Sequence, residues 1–428
     1  MSKQSRAKRK PGRGRPGRLP ASPSSRTGIP PATPAPRSPG ALLLGHLPPT
    51  RSAAVLPEAP TPAVSVDVVA GGPTGRVEVT SVNCDALDEL EPQRLGVTYW
   101  FEAPADGEPH DLEVRFSGTR TPVEADEEPA EFVASRTVHG VLPGAGRVAY
   151  TARFADVAPG AWHVTAAPAL PTAAPRPSAA SAIGRTAFLP VVRELAPGMS
   201  MGSWPALVAL GAVTGVASLL VLASRHGISV AGLAVVALVA CIVGLAGAKA
   251  YFVLQSDSKT SLLSTSGMCI QGFVIGAFAT VAAGSLLLNV PTGTLLDLAA
   301  PGVMFGVMFG RAGCWKTGCC AGRPSTHRLA LWSTDRELGI RRIPVQLLEG
   351  AAAAAIGIVA FVLAWRSVPH PAGALFAAVF AAYVVLRQVL FPLRSSPHSR
   401  RGRMMALAVG CLVLAIAVGA LAVGSTHL

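Results

Sequence analysis

From Trp204 onward the chain alternates long apolar runs with short polar breaks, and this pattern constrains the fold more than any other feature. About 20 apolar residues are needed for a helix to cross a bilayer. Seven stretches qualify or nearly so: 205–224, 229–254, 269–289, 294–310, 346–365, 372–391 and 404–424. Only 14% of the residues are charged, where a soluble domain carries about 25%. A wholly soluble protein is therefore excluded. The expected fold is an all-α polytopic membrane protein of about seven transmembrane helices, preceded by a soluble β-sandwich-like domain and a disordered basic tail.

The first 203 residues have a different character. Residues 1–61 are rich in Pro, Arg, Ser, Gly and Ala, without aromatics or apolar period, and read as a disordered tail. Eight basic and no acidic residues lie between Lys3 and Arg18. No aromatics interleave with them, so nucleic acid is not an expected partner; the run reads as a solvated tail, with binding to anionic membrane lipid as the alternative. No signal peptide is evident. Residues 62–168 read as β, an immunoglobulin-like sandwich. Alternating runs such as Val64–Val68, Val77–Val79, Val97–Phe101, Leu112–Phe116, Val148–Phe154 and Trp162–Val164 are separated by Gly, Pro or Asp. This domain shows no catalytic constellation and is expected to be a structural or interaction module, with a protein partner. Residues 169–203, rich in Pro and Ala, read as a linker, and 204–428 as the membrane domain.

Ionisable residues fall in or at the ends of the apolar spans: Lys249, Asp297, Arg311, Glu349 and Arg387. Each costs roughly 2.5–3.5 kcal/mol at the centre of a membrane helix on insertion scales. Such residues pair, face the bundle interior or mark a site. Arg311 and Arg387 carry permanent positive charge on a planar fork that matches phosphate. Tyr383 and Arg387, four residues apart, share one helix face. Between Gly310 and Thr326 the sequence reads as a loop with Arg311, Arg323, Lys316, Cys314, Cys319, Cys320 and glycines at 310, 313, 318 and 322. These glycines allow close backbone approach and leave N–H groups for an anion. Together the residues point to an anionic-lipid site.

The same residues resemble the prolipoprotein diacylglyceryl transferase family. Its central signature is matched by Asp297, Ala300-Pro301, Phe305-Gly306, Gly310-Arg311-Ala312-Gly313 and Gly322-Arg323-Pro324. Upstream, Gly267-Met268-Cys269-Ile270-Gln271-Gly272 and Gly247-Ala248-Lys249-Ala250-Tyr251 resemble two further blocks. Downstream, Arg342-Ile343-Pro344-Val345-Gln346-Leu347-Leu348-Glu349 resembles a fourth, and Tyr383 and Arg387 match a Tyr and an Arg at the family spacing. The blocks keep the family order over about 204–424.

The resemblance implies a multi-pass enzyme of the bacterial plasma (inner) membrane that moves the diacylglyceryl group of phosphatidylglycerol to a cysteine thiol of a prolipoprotein. It implies catalytic roles for Arg311, Arg387 and Tyr383, and no cofactor. Lys249 would replace an arginine, and Gly313, Gly322, Arg323, Gln346 and Glu349 would shape or line the lipid-binding region. Four departures stand out. The family's histidine falls on Gln271, which cannot act as a base at neutral pH. Its asparagine and glutamate in the loop fall on Cys314 and Cys319, and a first-span tyrosine on Leu210. The anion-holding half of the site is kept, and the proton-handling half is changed.

Several readings of the loop cysteines stand open. One is a thiolate near Arg311 and Lys316, serving as base or nucleophile. Another is a disulfide from Cys314 to Cys319 or Cys320; a third is packing. A metal site is not expected, because no loop histidine has ligand spacing and His327 lies seven residues past Cys320. The alternative function is a non-catalytic lipid-binding or scaffold relative, or a transferase with another acceptor; a membrane thiol–disulfide protein is weaker still. Basic residues after spans two, four and six would place those loops in the cytoplasm by the positive-inside rule, whereas the family places its site on the outer face.

Overall fold

A computed structural model describes residues 75–80, 90–122, 129–169, 179–255, 269–395 and 399–426. The basic tail, the expected strand at Val64–Val68, Cys84 and the Gly267-Met268 pair lie outside these residues.

Seven strands form the first part: β1 Gly75–Thr80, β2 Gln93–Glu102, β3 His110–Arg120, β4 Glu131–Val141, β5 Arg147–Phe154, β6 Ala161–Pro168 and β7 Ala180–Arg185. All pairings are antiparallel. One sheet runs β1-β2-β5 and the other β4-β3-β6-β7. Alternate residues of both, among them Val97, Tyr99, Val114, Phe116, Trp162 and Val164, meet in one core. The sequence pattern did not disclose two strands. β4 is an edge strand whose side chains are mostly exposed, so it lacks clear apolar alternation. β7 falls in the stretch read as linker, because its inward residues are Ala180, Ala182 and Gly184, too small to signal burial. Gly184 must be small because a Cβ there would collide with Val79.

After β7 come the two-residue strand β8 Ala187–Phe188 and a short helix, α1 Leu189–Glu194. The expected linker is thus structured from 179 onward.

Among the described residues, seven helices are long and apolar enough to cross a membrane. They are α2 Ser203–Arg225, α3 Val230–Gln255, α4 Ile270–Leu288, α5 Thr292–Lys316, α6 Val345–Arg366, α7 Ala374–Leu390 and α8 Arg400–Thr426. Glycines set the closest approaches. Gly211 and Gly215 of α2 face Gly306 and Gly302 of α5, and a Cβ on Gly302 would lie 2.5 Å from the Gly215 carbonyl oxygen. This is the small-xxx-small packing of membrane helices. Gly247 and Gly272 bring α3 and α4 together in the same way.

The fourth span differs from expectation. The helix does not stop at Gly310 but continues to Lys316, so Arg311, Gly313 and Cys314 lie on its last turns. Gly313 packs against Trp204 at the start of α2, and Gly350 of α6 against Arg311. Burial against two helices overrides the glycine content of the segment. The loop proper starts at Thr317.

That loop ends in a hairpin, β9 Leu331–Thr334 and β10 Leu338–Arg342, and β10 pairs with β5. A hairpin between the fourth and fifth spans therefore extends the sandwich sheet. Trp332 stacks on Trp100 at 5.5 Å, and its indole N–H donates to the Arg147 carbonyl at 2.9 Å. Arg153 of β5 donates to the carbonyls of Val192, Leu195 and Arg336. The soluble and membrane parts share one sheet.

Candidate active site

Glu349, on the first turns of α6, has no solvent exposure. Three guanidinium groups and a phenol converge on it. Arg311 Nε lies 3.2 Å from Oε2, and Arg394 donates to the same oxygen. Arg387 Nε stands 3.9 Å from Oε1, and the Tyr383 hydroxyl donates to Oε1 at 3.3 Å. Arg311 Nη2 in turn donates to the Tyr383 oxygen at 3.1 Å. One carboxylate among three guanidiniums leaves an excess of positive charge. The Arg387 side chain is 40% exposed and that of Arg311 14%. The cluster is thus anchored from below and open at Arg387, an arrangement that takes an anion with planar, bidentate geometry.

Sequence reasoning missed Arg394, counting it as a loop cation. It is 4% exposed. The one signal is its place seven residues after Arg387, two helical turns on; the chain reaches it through the turn Phe391–Leu393. Its backbone is fixed by the loop: Arg323 N–H bonds the Leu393 carbonyl, Arg323 Nε the Arg394 carbonyl, and Ser395 N–H the Ala321 carbonyl. Arg323 is therefore a brace behind Arg394, itself exposed to solvent. Gly322 sits in a bridge with Arg394, where a Cβ would strike the Ile343 carbonyl oxygen. The glycines at 313 and 322 allow close packing.

Arg342, buried, pairs with Asp335 at 2.5 Å and donates to the Gly322 and Leu338 carbonyls. It joins the hairpin to the loop. Asp297, fully buried, accepts the N–H groups of Gly373 at 2.7 Å and Phe376 at 2.8 Å. It caps the start of α7 from a neighbouring helix.

Cys314, Cys319 and Cys320 lie together, their three sulfurs within 4.8 Å of one another. Cys319 N–H bonds the Cys314 carbonyl, and Gln346 Nε2 holds the Cys319 carbonyl at 3.0 Å. Gln346 Oε1 is buried without a hydrogen-bond partner among the described residues. Hydrogen bonds from the Cys314 and Cys319 thiols, then the charges of Arg311 and Arg394, hold the Cys320 thiol far below the usual cysteine range. All three cysteines are free thiols.

Gln271 and Lys249 are placed at the α3–α4 contact. Gln271 is exposed and accepts from the Cys269 thiol at 2.7 Å. Lys249 Nζ lies over the Phe252 ring at 5.8 Å. Gln271 makes none of the described contacts with the Glu349 cluster. Leu210 is about half exposed on α2.

A family model described as prolipoprotein diacylglyceryl transferase matches residues 190–423. A phosphatidylglycerol–prolipoprotein diacylglyceryl transferase of Dehalococcoides mccartyi is 29% identical over 162 residues, 37% of this chain and 62% of that protein. One of Clostridium tetani is 26% identical over 216 residues, 49% of this chain and 86% of that protein. The match with the first thus spans less than two thirds of its length. The family match begins at α1 and ends in α8, and includes every residue of the arginine cluster. The chain belongs to the prolipoprotein diacylglyceryl transferase family.

Proposed function

We propose that this protein is a transferase that moves the diacylglyceryl group of phosphatidylglycerol to a cysteine thiol of a prolipoprotein, at the inner membrane of a bacterium. The observation that carries this reading is the set of Arg311, Arg387 and Arg394 around Glu349 and Tyr383. A phosphodiester seated on the open fork of Arg387 places its charge where fixed cations are already oriented. When the C–O bond to phosphate breaks, the leaving group gains a negative charge. Preorganised donors in a site of low dielectric stabilise such a charge most.

Glu349 keeps the three cations from repelling one another before the lipid arrives and holds their forks in place. Tyr383 bridges Arg311 and Glu349 and orients the head group. Glycerol phosphate leaves, and the acceptor keeps a thioether.

The test is expression in bacteria depleted of their own diacylglyceryl transferase, with lipoprotein modification as readout. The wild type restores it and Arg311→Ala does not, at equal levels of membrane-inserted protein. Failure of the well-inserted wild type would contradict the reading.

A further inference from the structure

The arginine cluster accounts for the leaving phosphate and leaves the acceptor thiol without a base. Gln271 cannot take its proton, and it lies at another helix contact. Cys314, Cys319 and Cys320 form a cluster of nucleophilic, metal-ligating groups that the phosphate site does not use.

Their geometry is specific. Cys314 is on the last turn of α5. The chain then turns back through Gly318 (φ +65°) and Cys320 (φ +55°), both in the left-handed region. A non-glycine residue there is uncommon. The turn returns Cys320 toward Cys314, and all three sulfurs come within 4.8 Å. Sulfurs on a tetrahedral zinc shell of radius about 2.3 Å lie about 3.8 Å apart, a small contraction from this arrangement. Thr317 Oγ1, which donates to the Gly313 carbonyl at 3.0 Å, lies 3.7 Å from Cys319 Sγ, and Gln346 fixes the Cys319 backbone. Outer partners of this kind orient metal ligands. A histidine is not needed: soft thiolates alone select zinc or cuprous copper.

We propose that Cys314, Cys319 and Cys320 hold a zinc ion whose open fourth position takes the acceptor's cysteine sulfur. This rests on the transferase reading and supplies the step that Gln271 cannot. A thiol bound to zinc is deprotonated outright, and its proton passes to solvent. The sulfur lone pair forms a C–S bond to the glyceryl carbon while the C–O bond to phosphate breaks. That electron pair leaves on the phosphate oxygen, at the arginine cluster whose open fork is Arg387. The thioether product is a poor zinc ligand and departs.

The test uses the full chain purified in detergent under reducing conditions. Metal analysis should find about one zinc per chain, falling at least tenfold in Cys314→Ser, Cys319→Ser and Cys320→Ser. Elution as a monodisperse species controls for folding. Wild-type protein that holds no zinc after zinc reconstitution, or that holds copper or a disulfide instead, overturns the proposal. Cobalt replacing zinc reports the fourth position without turnover. Its sulfur-to-cobalt charge-transfer band should grow by about a third with a lipoprotein-type peptide containing cysteine, and stay unchanged with the serine peptide. A band indifferent to the cysteine peptide overturns the proposal. Transfer from phosphatidylglycerol by zinc-free protein overturns it too and leaves the transferase reading intact. Zinc and peptide binding without any transfer overturns the transferase reading, and with it the activating role.

Discussion

One carboxylate among three guanidiniums is an unbalanced arrangement, and the imbalance gives the site its use. Glu349 satisfies part of the charge of Arg311, Arg387 and Arg394, and in the proposed reaction the lipid phosphate would complete the rest. Glu349→Gln should therefore lower stability, because it leaves buried cations unpaired. Breaking such a pair costs roughly 3–5 kcal/mol, and thermal unfolding in detergent should show it as a clear drop in Tm. Added phosphate should recover part of that loss. Arg394→Lys should reduce transfer at least tenfold with little change in expression, since a lysine cannot present a fork. At this scale the sequence disclosed Arg311, Tyr383, Arg387 and Glu349 through their resemblance to family blocks. It concealed Arg394, because a loop arginine beside Arg400, Arg401 and Arg403 looks like a charge that orients the chain in the membrane. It offered a Cys314 pairing with Cys319 or Cys320 but could not bring all three sulfurs together, since their proximity depends on two left-handed residues.

The helices are placed by glycine contacts and one buried cap. Gly302→Leu would drive a side chain into the Gly215 carbonyl and separate α2 from α5. Overpacking typically costs about 1–3 kcal/mol, and a matching loss of Tm is expected. Gly310→Ala, which has open space, should be near neutral in the same measurement. Asp297→Ala would leave the N–H groups of Gly373 and Phe376 without an acceptor. A buried unsatisfied donor costs about 1–3 kcal/mol. Hydrogen exchange should rise selectively at the start of α7. The spans themselves were legible from length and apolarity alone. The end of the fourth was not, because the segment from Gly310 looks like a loop until α2 is seen to cover Gly313 and α6 to pack on Arg311. β7 was hidden for the opposite reason: Ala180, Ala182 and Gly184 face inward without the bulk that marks a buried strand.

On the scale of the molecule, the sandwich and the site are mechanically connected. β5 pairs with β10, Arg336 Nε donates to the Thr317 carbonyl at 2.9 Å, and Thr317 closes α5 just before Cys319. The hairpin occupies the β5 edge, so that edge is not open to another chain. Trp332→Ala removes the stack on Trp100 and should loosen this connection. Faster proteolysis in 317–344 and slower transfer are expected, with the sandwich itself intact. None of this was legible before the fold, because the pairing joins residues nearly 190 apart in sequence.

The central claim is that the arginine cluster holds the lipid phosphate during transfer. Its most direct test is the initial rate at which purified protein moves labelled diacylglyceryl from phosphatidylglycerol to a cysteine peptide, comparing wild type with Arg387→Ala. Loss of one preorganised donor to a developing charge typically costs about 10²–10³ in rate. A fall of about 10²-fold, with Tm within a few degrees of wild type, is the predicted result. A rate within twofold of wild type would contradict the account.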